Sequence, residues 1–228
     1  MNIALFGGTF DPIHRGHLNV ARAAARRFRL REVWFIPAAI PPHKQKAPIT
    51  SYFHRYSMVT LAVASEPDFL PSLLEAPEPE AHMERRPSYT IDTIRKVKAG
   101  LRRGDRLYFL IGMDAFRDIA KWHKPEELLR ECEFIVAARP GFSLENIASS
   151  LPKALRPTLK ELRADHLDEA LRRRGVTLHL LPETHEDISA THIRRAMKKH
   201  GGQLKKLVPD AVADYIRKEG LYKKVAGG

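Results

Sequence analysis

The chain of 228 residues has one cysteine, Cys132. No internal disulfide can form, and no cysteine-rich metal module is present. No apolar run approaches the roughly 20 residues that a membrane-spanning helix needs. The sequence enters an apolar strand pattern at Ile3, with no leader-like segment ahead of it. No signal peptide is therefore expected, and with so little cysteine the reading is cytoplasmic. There is no internal repeat, and no RRM, KH or zinc-finger spacing. No Ser/His/Asp or Cys/His set of the kind that activates a nucleophile is visible either.

Acidic residues are outnumbered: 39 lysines and arginines face 27 carboxylates, for a formal charge of +12 and a pI near 9.9. Such a balance suits polyphosphate substrates, nucleic acid or an anionic surface. The basic residues are scattered, at Arg22–Arg31, Arg172–Arg174, Lys198–Lys199 and Lys205–Lys206. A nucleic-acid groove predicts a continuous basic stripe interleaved with aromatics. Here the aromatics fall in apolar strand and helix patterns, so no nucleic-acid partner and no membrane partner is expected. A basic nucleic-acid-binding protein stands as the non-enzymatic alternative. A hydrophobic content of 43% fits one soluble globular domain over residues 1–228.

Apolar runs that read as buried strands recur at Ile3–Phe6, Val33–Ile36, Leu107–Ile111, Phe134–Ala138 and Val176–Leu181. Helical patterns lie between them at His17–Phe28, Tyr52–Ser65, Thr90–Leu101 and Pro125–Glu131. This alternation predicts the α/β class: a Rossmann-like, doubly wound parallel sheet with helices on both faces. Ligands of such sheets bind at the carboxyl ends of the strands. Residues 66–87 are proline-rich and read as a loop with an extended segment. Residues 140–187 read as an inserted, highly charged excursion, helical over Leu159–Arg174. Residues 188–222 read as a small C-terminal helical part with patterns at Ala190–His200 and Asp210–Lys218, the second opened by Pro209.

The most informative stretch is Gly7-Gly8-Thr9-Phe10-Asp11-Pro12-Ile13-His14-Arg15-Gly16-His17. It joins the first strand to the first helix. Glycines let a backbone approach an anion, and a helix start offers unpaired N–H groups and a positive dipole end. His14 and His17, three apart, add side-chain donors on one face; without a Cys/Glu pattern nearby they are an incomplete zinc set. A second stretch, Ile188-Ser189-Ala190-Thr191-His192-Ile193-Arg194, also opens a helix, with Ser189 as a candidate N-cap.

The first stretch resembles the nucleotidyltransferase signature GxFDPxHxGH, and the second resembles the ISSTxIR signature of the same superfamily, with Ala190 replacing its second serine. Three further stretches narrow the resemblance: Pro41-Pro42-His43-Lys44, Arg86-Pro87-Ser88-Tyr89-Thr90-Ile91-Asp92-Thr93, and Ile111-Gly112-Met113-Asp114 followed by Trp122-His123. As a set they are similar to bacterial nicotinate-nucleotide adenylyltransferases. The likeness runs from Asn2 to about Arg139 and from Ile188 to Tyr222; nothing is carried over between.

The resemblance implies transfer of AMP from ATP to nicotinate mononucleotide, giving deamido-NAD and pyrophosphate in NAD biosynthesis. Nicotinamide mononucleotide or another small phosphate is the alternative acceptor, and one sequence leaves that choice open. Mg²⁺ is implied as cofactor, held mainly by substrate phosphates rather than by protein ligands. On the ATP side the resemblance implies the backbone of Gly7, Gly8, Thr9 and Phe10, the imidazoles of His14 and His17, Lys44, and Ser189, Thr191 and Arg194. His14, His17, Lys44 and Arg194 are the implied catalytic residues, with His17 near the α-phosphate. For the acceptor it implies Tyr89 and Thr90 at a helix start, Asp114 on a ribose or phosphate-side group, Trp122 stacked on the pyridine ring, and the backbone N–H of His123. A homo-oligomer is left open.

Overall fold

The computed structural model describes residues 1–39, 49–77, 88–138, 144–158, 161, 167–182, 188–199 and 204–223. In chain order the described elements are β1 (Asn2–Gly8), α1 (Arg15–Phe28), β2 (Glu32–Pro37), α2 (Tyr52–Val63), β3 (Phe69–Pro71), α3 (Thr90–Lys98), β4 (Arg106–Gly112), α4 (Met113–Phe116), α5 (Pro125–Glu131), β5 (Glu133–Ala138), α6 (Leu144–Ser150), α7 (Leu167–Arg173), β6 (Leu178–Pro182), α8 (Ala190–Lys199), α9 (Leu204–Leu207) and α10 (Asp210–Lys218). The strands form one sheet in the order β3-β2-β1-β4-β5-β6. This is the strand order of a doubly wound Rossmann-like fold, with β1 and β4 at the point where the winding reverses.

The sheet forms because its central strands are apolar on both sides. Leu107 through Ile111 and Phe134 through Ala138 are buried without alternation, as expected for parallel strands covered by helices on each face. β1 pairs with β4 in parallel (Leu5 opposite Phe109), β4 with β5 (Leu110 opposite Ile135), and β5 with β6 (Val136 opposite Leu180).

The chain divides into two compact units. One comprises Met1–Gly7, Ala21–Val33 and Tyr89–His185, and holds most of the sheet. The other comprises Gly8–Val20, Trp34–Ser88 and Glu186–Gly228. Its core includes Ile13, Phe35, Met58, Val59, Ile193, Val212 and Ile216.

Several boundaries differ from the sequence pattern; α2 and α3 end at Val63 and Lys98, short of the expected Ser65 and Leu101. Helix α1 starts two residues early, at Arg15, because the His17 N–H already donates to the His14 carbonyl at 3.0 Å. Strand β6 starts two residues late, at Leu178. The N–H of Val176 is spent on the Leu171 carbonyl (3.0 Å) behind Gly175 at φ 74°, so Val176 belongs to the cap of α7. Strand β3, three residues long, falls in the 66–87 stretch that reads as a loop with an extended segment; so short a strand has no period that would set its bounds. Of the helix expected over Leu159–Arg174, the structure shows Leu167–Arg173, and most of the remainder lies outside the described residues.

Candidate active site

At the end of β1 the Gly8 carbonyl accepts the N–H of Ala38 at 2.9 Å. A Cβ on Gly8 would stand 2.9 Å from Phe10 Cζ, so the close approach of that ring requires glycine. Phe10 adopts φ 47°, a left-handed backbone that is rare for an aromatic residue. Its buried ring meets Phe35 (centroids 5.8 Å apart) and, edge-on, His17 (5.0 Å). The turn thus delivers the chain into α1 with the two histidines together, their rings stacked at 3.7 Å.

The pair is locally organised. The His14 N–H donates to His17 Nδ1 at 3.2 Å. An accepting Nδ1 assigns the proton of the neutral His17 ring to Nε2. His14 is 93% buried by accessible surface, being 7% exposed, and its Nδ1 has no hydrogen-bond partner. Burial pulls its pKa down to about 4, so the ring is neutral at pH 7.

The second motif meets the first. A Cβ on Gly16 would lie 3.8 Å from Ile188 Cβ, so the start of α1 and the residue preceding Ser189 are neighbours. Ser189 is the N-cap of α8: its Oγ accepts the His192 N–H at 3.1 Å, and its carbonyl accepts that of Ile193 at 3.0 Å. Buried Ile193 anchors the helix, leaving Ser189 and Thr191 exposed and Arg194 half-buried. Arg194 turns back onto the signature turn, Nη1 donating to the Asp11 carbonyl at 2.6 Å and Nη2 to Thr191 Oγ1 at 3.2 Å. One unit therefore gathers Gly8, Thr9, Phe10, His14, His17, Ser189, Thr191 and Arg194. Lys44 lies outside the described residues, as do Pro41–His43 and Arg86–Pro87.

Three supporting residues were not singled out by sequence. Asp11, 4% exposed, accepts the Tyr222 hydroxyl at Oδ1 (2.6 Å) and the Thr50 N–H at Oδ2 (3.4 Å). Arg55, 1% exposed, donates to four main-chain carbonyls: Thr9 and Ala38 at 2.7 Å, Thr50 at 2.9 Å and Ala39 at 3.3 Å. Burial works against the Arg55 charge, and nearby Asp11 offsets part of that. A signal for Arg55 existed, since it is a lone arginine on the apolar face of a helical pattern.

The residues expected on the acceptor side, Tyr89, Thr90, Asp114, Trp122 and His123, lie in the other unit, with Gly7. A Cβ on Gly7 would stand 3.1 Å from the Phe109 ring. Tyr89 precedes α3 in an extended conformation, and its side chain makes no cap bond to the first N–H groups of the helix. Its ring stacks on His123 at 4.0 Å and 22°. The sequence offered His123 only through its backbone; the ring also packs. Trp122, half-buried, meets Phe109 edge-on at 6.4 Å. Asp114 is exposed on α4, with Arg117 at 3.9 Å. Arg95 joins α3 to α5 through Glu127 (2.8 Å) and Glu131 (2.7 Å), and Lys98 adds Glu131 at 3.0 Å, so α3, which Tyr89 precedes, and α5, which follows His123, are joined. Among the described residues, no cluster of three or more His, Cys, Asp or Glu side chains could hold a metal ion, and no helix is long and apolar enough to cross a membrane.

Comparison with known proteins matches residues 5–196 to the cytidylyltransferase-like family. A relative from Moorella thermoacetica, named "Probable nicotinate-nucleotide adenylyltransferase", is 39% identical over 97% of this chain and 91% of its own length. One from Pseudomonas paraeruginosa with the same name is 40% identical over 97% of each chain. The chain belongs to the nicotinate-nucleotide adenylyltransferase family. The fold of the family extends to a solved Plasmodium falciparum nicotinic acid mononucleotide adenylyltransferase complexed with NaAD, with a TM-score of 0.68 at 22% identity over 97% of each chain. In this member of the family, Ala190 opens α8 while Ser189 supplies the cap, so the departure from ISSTxIR removes a hydroxyl but not the helix start.

Proposed function

We propose that this protein transfers AMP from ATP to nicotinate mononucleotide, releasing pyrophosphate and deamido-NAD. The observation that carries the reading is the junction of the two signatures: stacked His14 and His17 at one helix start, and Arg194 bound to Asp11 from the other. A phosphate oxygen of the mononucleotide attacks the α-phosphorus of ATP, and the bond from that phosphorus to the bridging oxygen breaks. The nucleophile is already anionic at neutral pH, so no general base is required, and the chain needs none of the nucleophile-activating sets it lacks. Catalysis comes from alignment and from donors aimed at developing charge.

His17 donates from Nε2 to the α-phosphate. His14, neutral at pH 7, contributes a hydrogen bond rather than a charge. The backbone of Gly7, Gly8, Thr9 and Phe10 lies along the nucleotides, where glycine and the Phe10 turn give close access. Ser189, Thr191 and Arg194, with Lys44, hold the β- and γ-phosphates; a guanidinium suits paired phosphate oxygens. On the acceptor side the N–H groups at the start of α3, at Tyr89 and Thr90, with the His123 N–H, meet the nicotinate carboxylate. Trp122 stacks on the cationic pyridine ring, and Asp114 bonds a ribose or phosphate-side group. Mg²⁺ would be held mainly by the phosphate oxygens of the substrates and would offset charge there; among the described residues no group of three or more His, Cys, Asp or Glu could hold it.

The test is pyrophosphate release by the purified protein with ATP and Mg²⁺, nicotinate and nicotinamide mononucleotides being supplied in parallel. At least tenfold higher kcat/KM with the acid supports the reading. Equal rates keep the transferase and remove the carboxylate recognition. No release with either removes the reading.

A further inference from the structure

We propose that Tyr222 is a positioning residue of the phosphate site, acting through Asp11 to hold Arg194 and the signature turn. The proposal rests on the adenylyl-transfer reading in that Arg194 meets phosphate there. Tyr222 lies 211 residues from Asp11, yet its hydroxyl reaches Asp11 Oδ1 at 2.6 Å. The hydroxyl also lies 3.9 Å from Sδ of Met58, which is fully buried. Asp11 acts as a joint. Its carboxylate is held by Tyr222 and by the Thr50 N–H, and its carbonyl holds Arg194. A carboxylate so buried must keep its donors. Loss of one leaves Oδ1 short, and the residue that carries Arg194 is then free to turn.

The position of Tyr222 is itself built. Helix α10 buries Val212, Ala213 and Ile216; after its C-cap Glu219 comes Gly220 at φ 64°, and the Leu221 N–H donates to the Ile216 carbonyl at 3.0 Å. This is the glycine-capped helix end that reverses the chain. Tyr222 follows at φ 64°, a left-handed backbone unfavourable for tyrosine. The same C-terminal part is fastened elsewhere by Tyr215, whose hydroxyl lies 2.8 Å from His54 Nδ1, and by Arg15, which donates to the Lys205 carbonyl at 3.1 Å. Only the Tyr222 hydroxyl is bonded to the signature turn's carboxylate from that part among the described residues.

Tyr222→Phe removes one oxygen, and Tyr215→Phe removes the neighbouring hydroxyl as a control. In the pyrophosphate assay, Tyr222→Phe is expected to lower kcat/KM for ATP tenfold or more, the scale of one lost hydrogen bond to a charged group. The KM for the mononucleotide stays within twofold, and Tyr215→Phe keeps wild-type kinetics. Asp11→Asn is expected to show a similar loss, and combining it with Tyr222→Phe to add little. Wild-type kinetics in Tyr222→Phe, equal losses in both tyrosine variants, or fully additive losses would overturn the proposal. Should Asp11→Asn not fold, the two tyrosine variants decide alone. Should the wild type release no pyrophosphate, the adenylyl-transfer reading fails on its own. Hydrogen exchange of the ligand-free proteins then decides: Tyr222→Phe must speed exchange over residues 9–18 and 190–194 while Tyr215→Phe does not, and unchanged exchange overturns the role of Tyr222.

Discussion

Replacing Arg55 by methionine takes away a guanidinium shared by four carbonyls, those of Thr9, Ala38, Ala39 and Thr50. Three of the four contacts are 2.9 Å or shorter. An acceptor left unpaired in the interior costs about 1–3 kcal/mol, and removing one side of a buried charged set costs about 3–5 kcal/mol. The individual penalties do not add, because carbonyls freed together share whatever water enters. A loss of about 4 kcal/mol follows, to which Asp11 contributes by losing a nearby positive charge. For a chain of this size each kcal/mol moves the midpoint by about 2–4 °C, so Tm should fall by roughly 8–16 °C.

Thermal unfolding followed by circular dichroism, with urea unfolding as a second axis, measures this directly. Arg55→Lys keeps the charge but not the planar fork, and should recover only part of the loss. A methionine variant melting within about 3 °C of wild type would refute the reasoning, since the carbonyls would then not depend on the guanidinium. A variant with wild-type Tm and a hundredfold lower kcat would refute it differently: Arg55 would be facing substrate rather than main chain.

Two further predictions concern the histidines. His17→Ala should lower kcat by about 10² or more at near-constant KM, the scale of one transition-state donor, in the pyrophosphate assay; a rise in KM alone would remove its assigned role. Burial depresses the pKa of His14 to about 4 in the folded protein, below its ordinary 6.5 in the unfolded chain, so only the unfolded chain readily takes the proton. The stabilisation is full above pH 6.5 and falls away by about 3 kcal/mol as pH drops from 6.5 toward 4. Urea titrations across that range should show His14→Gln with a flatter acid limb than wild type; parallel limbs would contradict the burial argument.

What the sequence made legible has a physical pattern. Apolar runs of five or six residues on a two-sided sheet leave an unambiguous trace, so β1, β2, β4 and β5 are readable within two residues. Helices α5 and α10 are readable to the residue, because Pro125 and Pro209 mark their starts. Strand β3 and the one-turn helices Met113–Phe116 and Leu204–Leu207 are too short to express a period. The helix starts at Arg15 and Ala190 were legible as places because glycine, serine and histidine cluster there. The bonds within them, such as His14 N–H to His17 Nδ1, depend on local geometry that spacing alone does not fix.

The residues missed by sequence share one property: their partners are main-chain atoms or lie far along the chain. Arg55 reads as a lone charge on an apolar helix face, which signals an inward position, but the carbonyls it meets are set only by the fold. Asp11 stands inside the signature but makes its contacts through Tyr222 and Arg194, 211 and 183 residues away. Motif reading finds groups that can meet a ligand, because chemistry limits which residue types can do so. It misses groups that hold those in place, because any well-placed donor serves. Transfer between phosphates leans on this second class, since with an anionic nucleophile and a good leaving group the protein has alignment and charge stabilisation left to supply. Arg194 and the signature turn are then held by buried Asp11 and Arg55 and by half-buried Tyr222. Substitutions at Asp11 and Tyr222 are expected to act on the ATP side of the proposed site, since the bonds described for them lie within the unit that carries the residues proposed to meet the β- and γ-phosphates.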